Sequence, residues 1–342
     1  MKNIFKNVSE ADRLKALRYT KVGTSVIYSI FRYVLLISIG FIIIYPLLYM
    51  IVTSIMSPAA YNNSTRVWIP TEFNAKDNFA KAIEALDYGK ALLNTVKYEV
   101  ISALLEVASC AVIGYGFARF NFKGKKILTG ILFLTILIPD MIVLIPRMVN
   151  YSNLDFLYIG TGIEKLVHAI GNLFGADFTA FDITPNVVNT GLTMWLPSLL
   201  GIGLRSGILI YIYIQFFSGL PRELEEAAWV DGAGPFKTFL KIAIPSSSVV
   251  FITVLVFSLI WHWNDSMLSG MYFTSNYPLA SGLSTLESYM VQKWGIYLRQ
   301  GTPQGASILM ASCILFIVPM LIFYMIVQRG FIESIDRVGI TG

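Results

Sequence analysis

The chain has 342 residues, a formal net charge of +5 and only 14% charged residues. A soluble globular domain carries about 25% charged residues, so this composition and a mean hydropathy of +0.64 exclude an ordinary soluble protein. The positive charge requires no nucleic-acid partner, because the basic residues flank apolar blocks in the manner of a membrane protein.

Six apolar blocks are long enough to cross a bilayer, which takes about 20 residues in a helix. They lie at 33–56, 92–118, 127–147, 193–217, 247–268 and 306–327. The first block is too long for the 7–15 apolar residues of a cleaved signal peptide. The pattern therefore predicts an all-α polytopic membrane protein with six transmembrane helices.

This pattern also predicts the division of the chain. Residues 1–32 form a basic N-terminal segment, 33–328 the transmembrane domain, and 329–342 a C-terminal tail. Between the third and fourth blocks, 148–191 form an outer excursion, in which apolar residues recur at helical spacing from Leu166 to Phe174. Either a surface helix on the membrane or a docking surface for an external partner fits this spacing.

Lysine and arginine are distributed unevenly between the two sides of the predicted bundle. One side carries 15: Lys2, Lys6, Arg13, Lys15, Arg18, Lys21, Arg119, Lys123, Lys125, Lys126, Arg222, Lys237, Lys241, Arg329 and Arg337. The other side carries seven: Arg66, Lys76, Lys81, Lys90, Lys165, Lys293 and Arg299. Since basic residues favour the cytoplasmic side, both termini are predicted to be cytoplasmic.

Motifs of catalysis are missing from the sequence. No P-loop, nucleophile elbow or H-E-x-x-H motif occurs, so we expect neither an enzyme nor a nucleotide site in this chain. Neither of the two histidines, His168 and His262, has a second ligand of a suitable kind at i+3 or i+4, and no metal site is expected. Cys110 and Cys313 lie in apolar blocks, which predicts free thiols.

A charged stretch, ELEEAAWVDGAGPFKTFLKIAIP at 223–245, interrupts the apolar blocks and predicts two short helices. Pro221 suits the first position of a helix, and three glutamates follow where the helix dipole favours acids. Gly232 or Gly234 can provide the left-handed cap, and Pro235 can open the second helix. We call 220–245 the elbow and expect it to lie flat on the cytoplasmic face, since a mere connection needs only a few residues.

The elbow carries a resemblance to a known family. Glu226-Ala227-Ala228, then Gly232, then Ile242-x-Ile244-Pro245 resemble the EAA loop of permease subunits of binding-protein-dependent ABC importers. The family usually has leucine at the position of Ile244. The residues from Asn94 to Lys126, "IPDMIVLIP" at 138–146, "VNTGL" at 188–192 and "WND" at 263–265 resemble the carbohydrate-uptake branch, with its MalG-type and LplC-type permeases.

The resemblance, which covers about residues 30–342, implies a type I importer permease fold whose elbow is a coupling helix. In such a protein the elbow docks into one of two separate cytoplasmic ATPase subunits, which bind ATP and Mg, and this chain itself holds no cofactor. The coupling residues implied are Glu223, Glu226, Ala227, Ala228, Asp231, Gly232 and Pro245. Further implied partners are a second homologous permease, an extracytoplasmic binding protein that delivers a sugar, and the lipid of a bacterial cell membrane.

Polar residues late in the fifth block are candidates for a substrate path. Trp263, Asn264 and Asp265 lie in the predicted outer leaflet, and sugars are held by aromatic faces and a few placed polar groups. Trp261 fits an interfacial anchor equally well.

Two charges lie deepest in the predicted bundle. Glu106 and Arg205 each stand about 12 residues from the outer end of their block, near the bilayer midplane. Such charges face the protein interior, as a buried ion pair or as path residues. Midplane charges also suit a secondary transporter, which remains an alternative although it has no need of the elbow. A membrane enzyme would have only the scattered Asp140, His262 and Asp265.

Overall fold

The computed structural model describes residues 10–61, 69–70, 72–152, 165, 186–298 and 303–339. In these residues the regular structure is helical, apart from one isolated bridge between Met56 and Phe73, so the all-α prediction is confirmed. The helices are Glu10–Ile55, Pro58–Tyr61, Ala75–Ala85, Tyr88–Thr95, Ile101–Arg119, Lys125–Leu137, Asp140–Ser152, Leu192–Leu199, Ser206–Gly219, Glu223–Val230, Pro235–Thr238, Ile244–Ser246, Ser248–Trp263, Met267–Tyr272, Leu279–Ser284, Leu286–Trp294 and Pro303–Gly339, with π-helical turns at Val96–Val100 and Phe239–Ala243.

Helices in the described residues match the predicted blocks, which we call segments 1 to 6 in chain order. Three stretches are long and apolar enough to cross a membrane on their own: Thr24–Ile55, Tyr88–Arg119 and Gln304–Gln328. Two bent helix pairs bring the number to five if each pair forms one span. The predicted outer helix at 166–174, together with Arg66 and Arg299, lies outside the described residues.

Segment 1 is longer than predicted. Its helix begins at Glu10, and its apolar part begins at Thr24 instead of residue 33. Most of the side chains from Thr24 to Ile51 are exposed, which suits a helix that faces lipid. The predicted basic segment is therefore partly the start of this helix.

Segments 3 and 4 are broken, which the apolar blocks do not reveal. Segment 3 bends by 99° between Leu137 and Asp140, where Ile138 is extended because it precedes Pro139. Segment 4 is divided into Leu192–Leu199 and Ser206–Gly219, with Gly201 and Arg205 left-handed between them. Left-handed residues cannot continue a right-handed helix, so the helix of segment 4 is interrupted between its two parts.

Segment 2 lies at the centre of the described bundle, between segments 4 and 5. A buried cluster joins the three segments and the elbow, and includes Cys110, Tyr115, Tyr213, Phe217, Phe239 and Val254. Segments 2 and 4 meet at Gly114, where an added Cβ would lie 2.4 Å from the Cβ of Tyr213. Small residues permit such close approach of helices in membranes. Both cysteines are free, and Cys110 is buried as predicted.

Candidate functional site

The elbow consists of two short helices joined by a glycine cap. Glu223–Val230 ends in a Schellman motif, in which Ala233 N–H donates to Ala228 O at 2.9 Å and Gly232 N–H donates to Trp229 O at 3.0 Å. Gly232, with φ +77°, is the left-handed residue, and Pro235 opens the second helix as predicted. A Cβ at Gly232 would meet open space, so only its backbone conformation restricts this position.

One face of the elbow is apolar and open. Trp229, Val230 and Phe236 are all exposed, Val230 to 88%, and the acids Glu223 and Glu226 stand beside them. Of the predicted coupling residues, Ala228 is buried, while Ala227, Asp231 and Gly232 are exposed. An exposed apolar patch rimmed by charge is typical of a protein contact surface.

The buried face of the elbow is fixed to the end of segment 2. Arg119 Nε donates to Glu225 Oε1 at 2.8 Å, and both side chains are only 5% exposed. The same guanidinium donates to Leu220 O at 2.9 Å. On the other side of the elbow, Pro245 lies in the last turn before an 82° bend into segment 5.

A cavity of about 250 Å³ lies where segments 3, 4 and 5 come together at the breaks, and we call it the polar cavity for the charged and amide side chains in its otherwise largely apolar wall. Its wall is formed by Asp140, Leu204, Arg205, Ile260, Trp261, Asn264, Asp265, Met267 and Leu268. The guanidinium of Arg205 lies 5.1 Å from the ring centroid of Trp261, within cation–π distance. The structure thus brings three of the five predicted path residues, Arg205, Asn264 and Asp265, to one cavity.

Asn264 and Asp265 differ in how their side chains are engaged. The Asp265 carboxylate is buried and accepts the backbone N–H groups of Leu268 and Ser269, each at 3.0 Å, at the start of helix Met267–Tyr272. Asn264 is exposed, lies in the wall of this cavity and of the apolar cavity between segments 5 and 6, and donates to Ile260 O at 2.7 Å. Asp265 therefore shapes the cavity wall, and Asn264 offers polar atoms to a ligand.

Next to the residues of the cavity wall, one histidine contacts two buried glutamates. His262 Nδ1 lies 3.2 Å from Glu99 Oε2, and His262 Nε2 lies 3.1 Å from Glu106 Oε2. Glu106 also accepts hydrogen bonds from Ser206 and from Ser258, the latter at 2.8 Å. The five residues, which we call the polar hub, connect segments 2, 4 and 5 and are nearly inaccessible to solvent.

The proposed ion pair between Glu106 and Arg205 is wrong. The two positions are nevertheless close, because Ser206, the next residue after Arg205, donates to the Glu106 carboxylate. Arg205 itself has φ +58°, and this left-handed turn directs its guanidinium to Trp261 instead. Glu106 is fully buried in the hub and is not in the wall of this cavity, and its assignment to the substrate path stays a prediction.

Trp263 also departs from the prediction. Its ring is only 6% exposed, and Nε1 donates to Phe316 O in segment 6 at 3.2 Å. This side chain faces a second, apolar cavity between segments 5 and 6. The residue that the sequence reading treated as a possible anchor, Trp261, is the one in the polar cavity.

Broken helices that line a cavity with charged residues in its wall are typical of membrane transport proteins. The model of the family "Binding-protein-dependent transport system inner membrane component" matches residues 111–337. The chain belongs to this family. It is therefore a multi-pass inner membrane protein and a transport subunit, and the secondary-transporter alternative has no support.

Relatives of the chain are permeases of named transport systems. It is 25% identical over 266 residues to the "Alpha-glucoside transport system permease protein AglG" of Rhizobium meliloti (strain 1021). This alignment covers 78% of the present chain but only 60% of the relative. It is 25% identical to the "Arabinooligosaccharides transport system permease protein AraQ" of Halalkalibacterium halodurans over 89% of this chain and 93% of the relative.

A solved structure shares the fold. The "Crystal structure of a bacterial ABC transporter involved in the import of the acidic polysaccharide alginate" contains a chain that matches with a TM-score of 0.65. The match covers 95% of this chain and 99% of that one, at 17% identity. The predicted importer permease fold is thus confirmed.

Proposed function

We propose that this chain is a permease subunit of an ATP-driven importer that carries a sugar or oligosaccharide delivered by an extracytoplasmic binding protein. Its partners are a second homologous permease and two cytoplasmic ATPase subunits, which bind ATP and Mg. The relatives named for alpha-glucoside and arabinooligosaccharide transport support the carbohydrate class. The observation that carries the proposal is the polar cavity, with Trp261, Arg205 and Asn264 in its wall.

The chemistry of the cavity suits a saccharide. A sugar ring has apolar faces that stack on an aromatic side chain and hydroxyls that bond to charged and amide groups. Trp261 provides an aromatic face, Arg205 provides donors, and Asp140 and Asn264 provide acceptors. At about 250 Å³ the cavity is smaller than a typical ligand pocket of roughly 300–1,000 Å³, which suits one sugar unit in a wall shared with the second permease.

The elbow is the contact with the ATPase in this proposal. Its open apolar patch supplies the docking area, and Glu223 and Glu226 add charge at its edge. The chain provides no P-loop of its own, so the energy of ATP must enter through such a contact. ATP then favours the outward-open arrangement of the permease because the ATPase subunits bind ATP more tightly in that arrangement.

The proposal is tested with the complex purified with its partner subunits and reconstituted in lipid. The binding protein is screened against neutral oligosaccharides and against acidic ones such as oligoalginate, and uptake of the bound sugar is then measured. We expect Trp261→Ala to lower uptake by a factor of about 2–30, the equivalent of roughly 0.5–2 kcal/mol of lost stacking and cation–π interaction. Trp294→Ala, at a tryptophan outside this cavity, is the matched control. Normal uptake in Trp261→Ala, or a binding protein that binds no saccharide, contradicts the proposal.

A further inference from the structure

Segment 2 contacts the elbow at one end and the polar hub near its middle. At the elbow end, Arg119 forms the buried ion pair with Glu225, and Tyr115 packs against Phe239 with ring centroids 4.9 Å apart. At the hub, Glu106 is bound by Ser206, Ser258 and His262. Both contacts thus belong to one helix.

The helix between these contacts is regular. Helix Ile101–Arg119 contains no proline, and Arg119, which follows Glu106 by 13 positions, lies about 20 Å from it along the helix at 1.5 Å per residue. A displacement of Arg119 along or across the bundle is therefore carried to Glu106 without a flexible joint between them.

The hub in turn adjoins the cavity through neighbouring residues. Ser206, which donates to Glu106, directly follows Arg205 of the cavity wall. His262, which lies against the same carboxylate, directly follows Trp261. A shift of Glu106 consequently acts on the backbone that positions the Arg205 and Trp261 pair.

We propose that segment 2 transmits the movement of the elbow to the cavity and that the Arg119–Glu225 pair is the joint through which it does so. Arg119 is then a positioning residue for transport, although it touches neither substrate nor ATPase. The inference rests on the proposed function, in which the elbow receives the ATP-driven movement. The movement could instead pass along the backbone, because the elbow continues through the bend at Ser247 into segment 5, and we call this the covalent route.

The test measures ATP-dependent access to the cavity and needs no knowledge of the sugar. Cysteine is placed at the exposed Asn264 in a chain that carries Cys110→Ser and Cys313→Ala, and the complex with its partner subunits is reconstituted in lipid nanodiscs. The rate of alkylation by N-ethylmaleimide is compared with and without ATP and vanadate. In the parent chain we expect these rates to differ by a factor of about 5 or more, a typical allosteric coupling.

Three variants examine the joint. Arg119→Gln and Glu225→Gln are expected to bring the ratio of rates close to one while the assembled complex still hydrolyses ATP. The exchange Arg119→Glu with Glu225→Arg is expected to restore most of the ratio. Arg222→Gln removes an exposed arginine from the same elbow and is expected to keep the parent ratio. All ratios are measured on complex recovered by size-exclusion chromatography, so a purely structural loss lowers the yield and leaves the ratio unchanged.

The outcomes separate the two proposals. A parent ratio above about 5 that persists in both Arg119→Gln and Glu225→Gln overturns the joint and favours the covalent route, while the proposed function stands. A parent complex whose cavity does not respond to ATP at all overturns ATP-driven import through this cavity, and the joint with it.

Discussion

His262 pairs with two carboxylates that would otherwise lie without a cationic partner among the described residues of the bundle. Its two ring nitrogens lie against Glu99 and Glu106, and neither carboxylate has access to water. The remaining oxygen of Glu99 has no hydrogen-bond partner in the described residues. Charges in the membrane are tolerated only when they pair or reach water, so the histidine is the residue on which this cluster depends.

We therefore expect His262→Ala to destabilise the protein by about 3–5 kcal/mol, the cost of breaking a buried ionic contact and leaving its partners in place. The measurement is the thermal unfolding midpoint of the purified complex in detergent. Thr253→Ala, in the same helix, removes a methyl group and a hydroxyl that donates to Val249 O, touches no charged group of the hub and serves as the control. Adding Glu99→Gln to His262→Ala should recover part of the loss, because the effects of residues in contact are not additive. Equal midpoints for His262→Ala and the parent would refute this role.

Part of the hub was visible in the sequence. The sequence predicts a deep charge at Glu106, and the structure brings Ser206, the neighbour of Arg205, to its carboxylate. Glu99 was not noticed, although it lies seven residues before Glu106 on the same helical face. Which of two adjacent residues meets Glu106 depends on one left-handed residue, Arg205, and no pattern of hydropathy encodes that dihedral angle.

At the scale of helices, the contact between segments 2 and 4 depends on a position without a side chain. Gly114 faces Tyr213 so closely that a Cβ would also come within 3.2 Å of Ile210 O. Gly116, two residues later in the same helix, has open space around its missing Cβ. The two glycines therefore form a natural comparison of a packed and an unpacked site.

Gly114→Ala is expected to destabilise the complex by about 1–3 kcal/mol, because the added carbon forces the two helices apart. Gly116→Ala is expected to be neutral or slightly stabilising, since alanine is a better helix former than glycine. Thermal unfolding of the two variants in detergent measures the difference. Equal midpoints would show that the helices at Gly114 can separate without cost.

The elements themselves were predicted with uneven success. The elbow is predictable from local chemistry, because proline and glutamate favour the start of a helix and glycine favours its end, as at Pro235, the glutamates and Gly232. The breaks in segments 3 and 4 were missed, because an apolar window of about 20 residues averages over a turn. Pro139 and Gly201 were the available signals, and each lies at a break.

At the scale of the whole molecule, the orientation in the membrane determines which partners the elbow and the cavity can reach. The excess of lysine and arginine near the elbow predicts that this face is cytoplasmic. In the proposed function, this orientation places the elbow on the side of the cytoplasmic ATPase subunits. An inverted chain would separate each site from its partner.

A single cysteine on each face tests this orientation in a chain that carries Cys110→Ser and Cys313→Ala. Asn121, exposed in the loop between segments 2 and 3, lies on the side with the basic excess, and Ile69, 71% exposed after segment 1, lies on the other. In intact cells treated with a membrane-impermeant maleimide, we expect Ile69→Cys to be labelled and Asn121→Cys to be protected. After permeabilisation both cysteines should react, which controls for their accessibility. Labelling of Asn121→Cys in intact cells, with protection of Ile69→Cys, would place the elbow outside the cell and exclude its contact with a cytoplasmic ATPase.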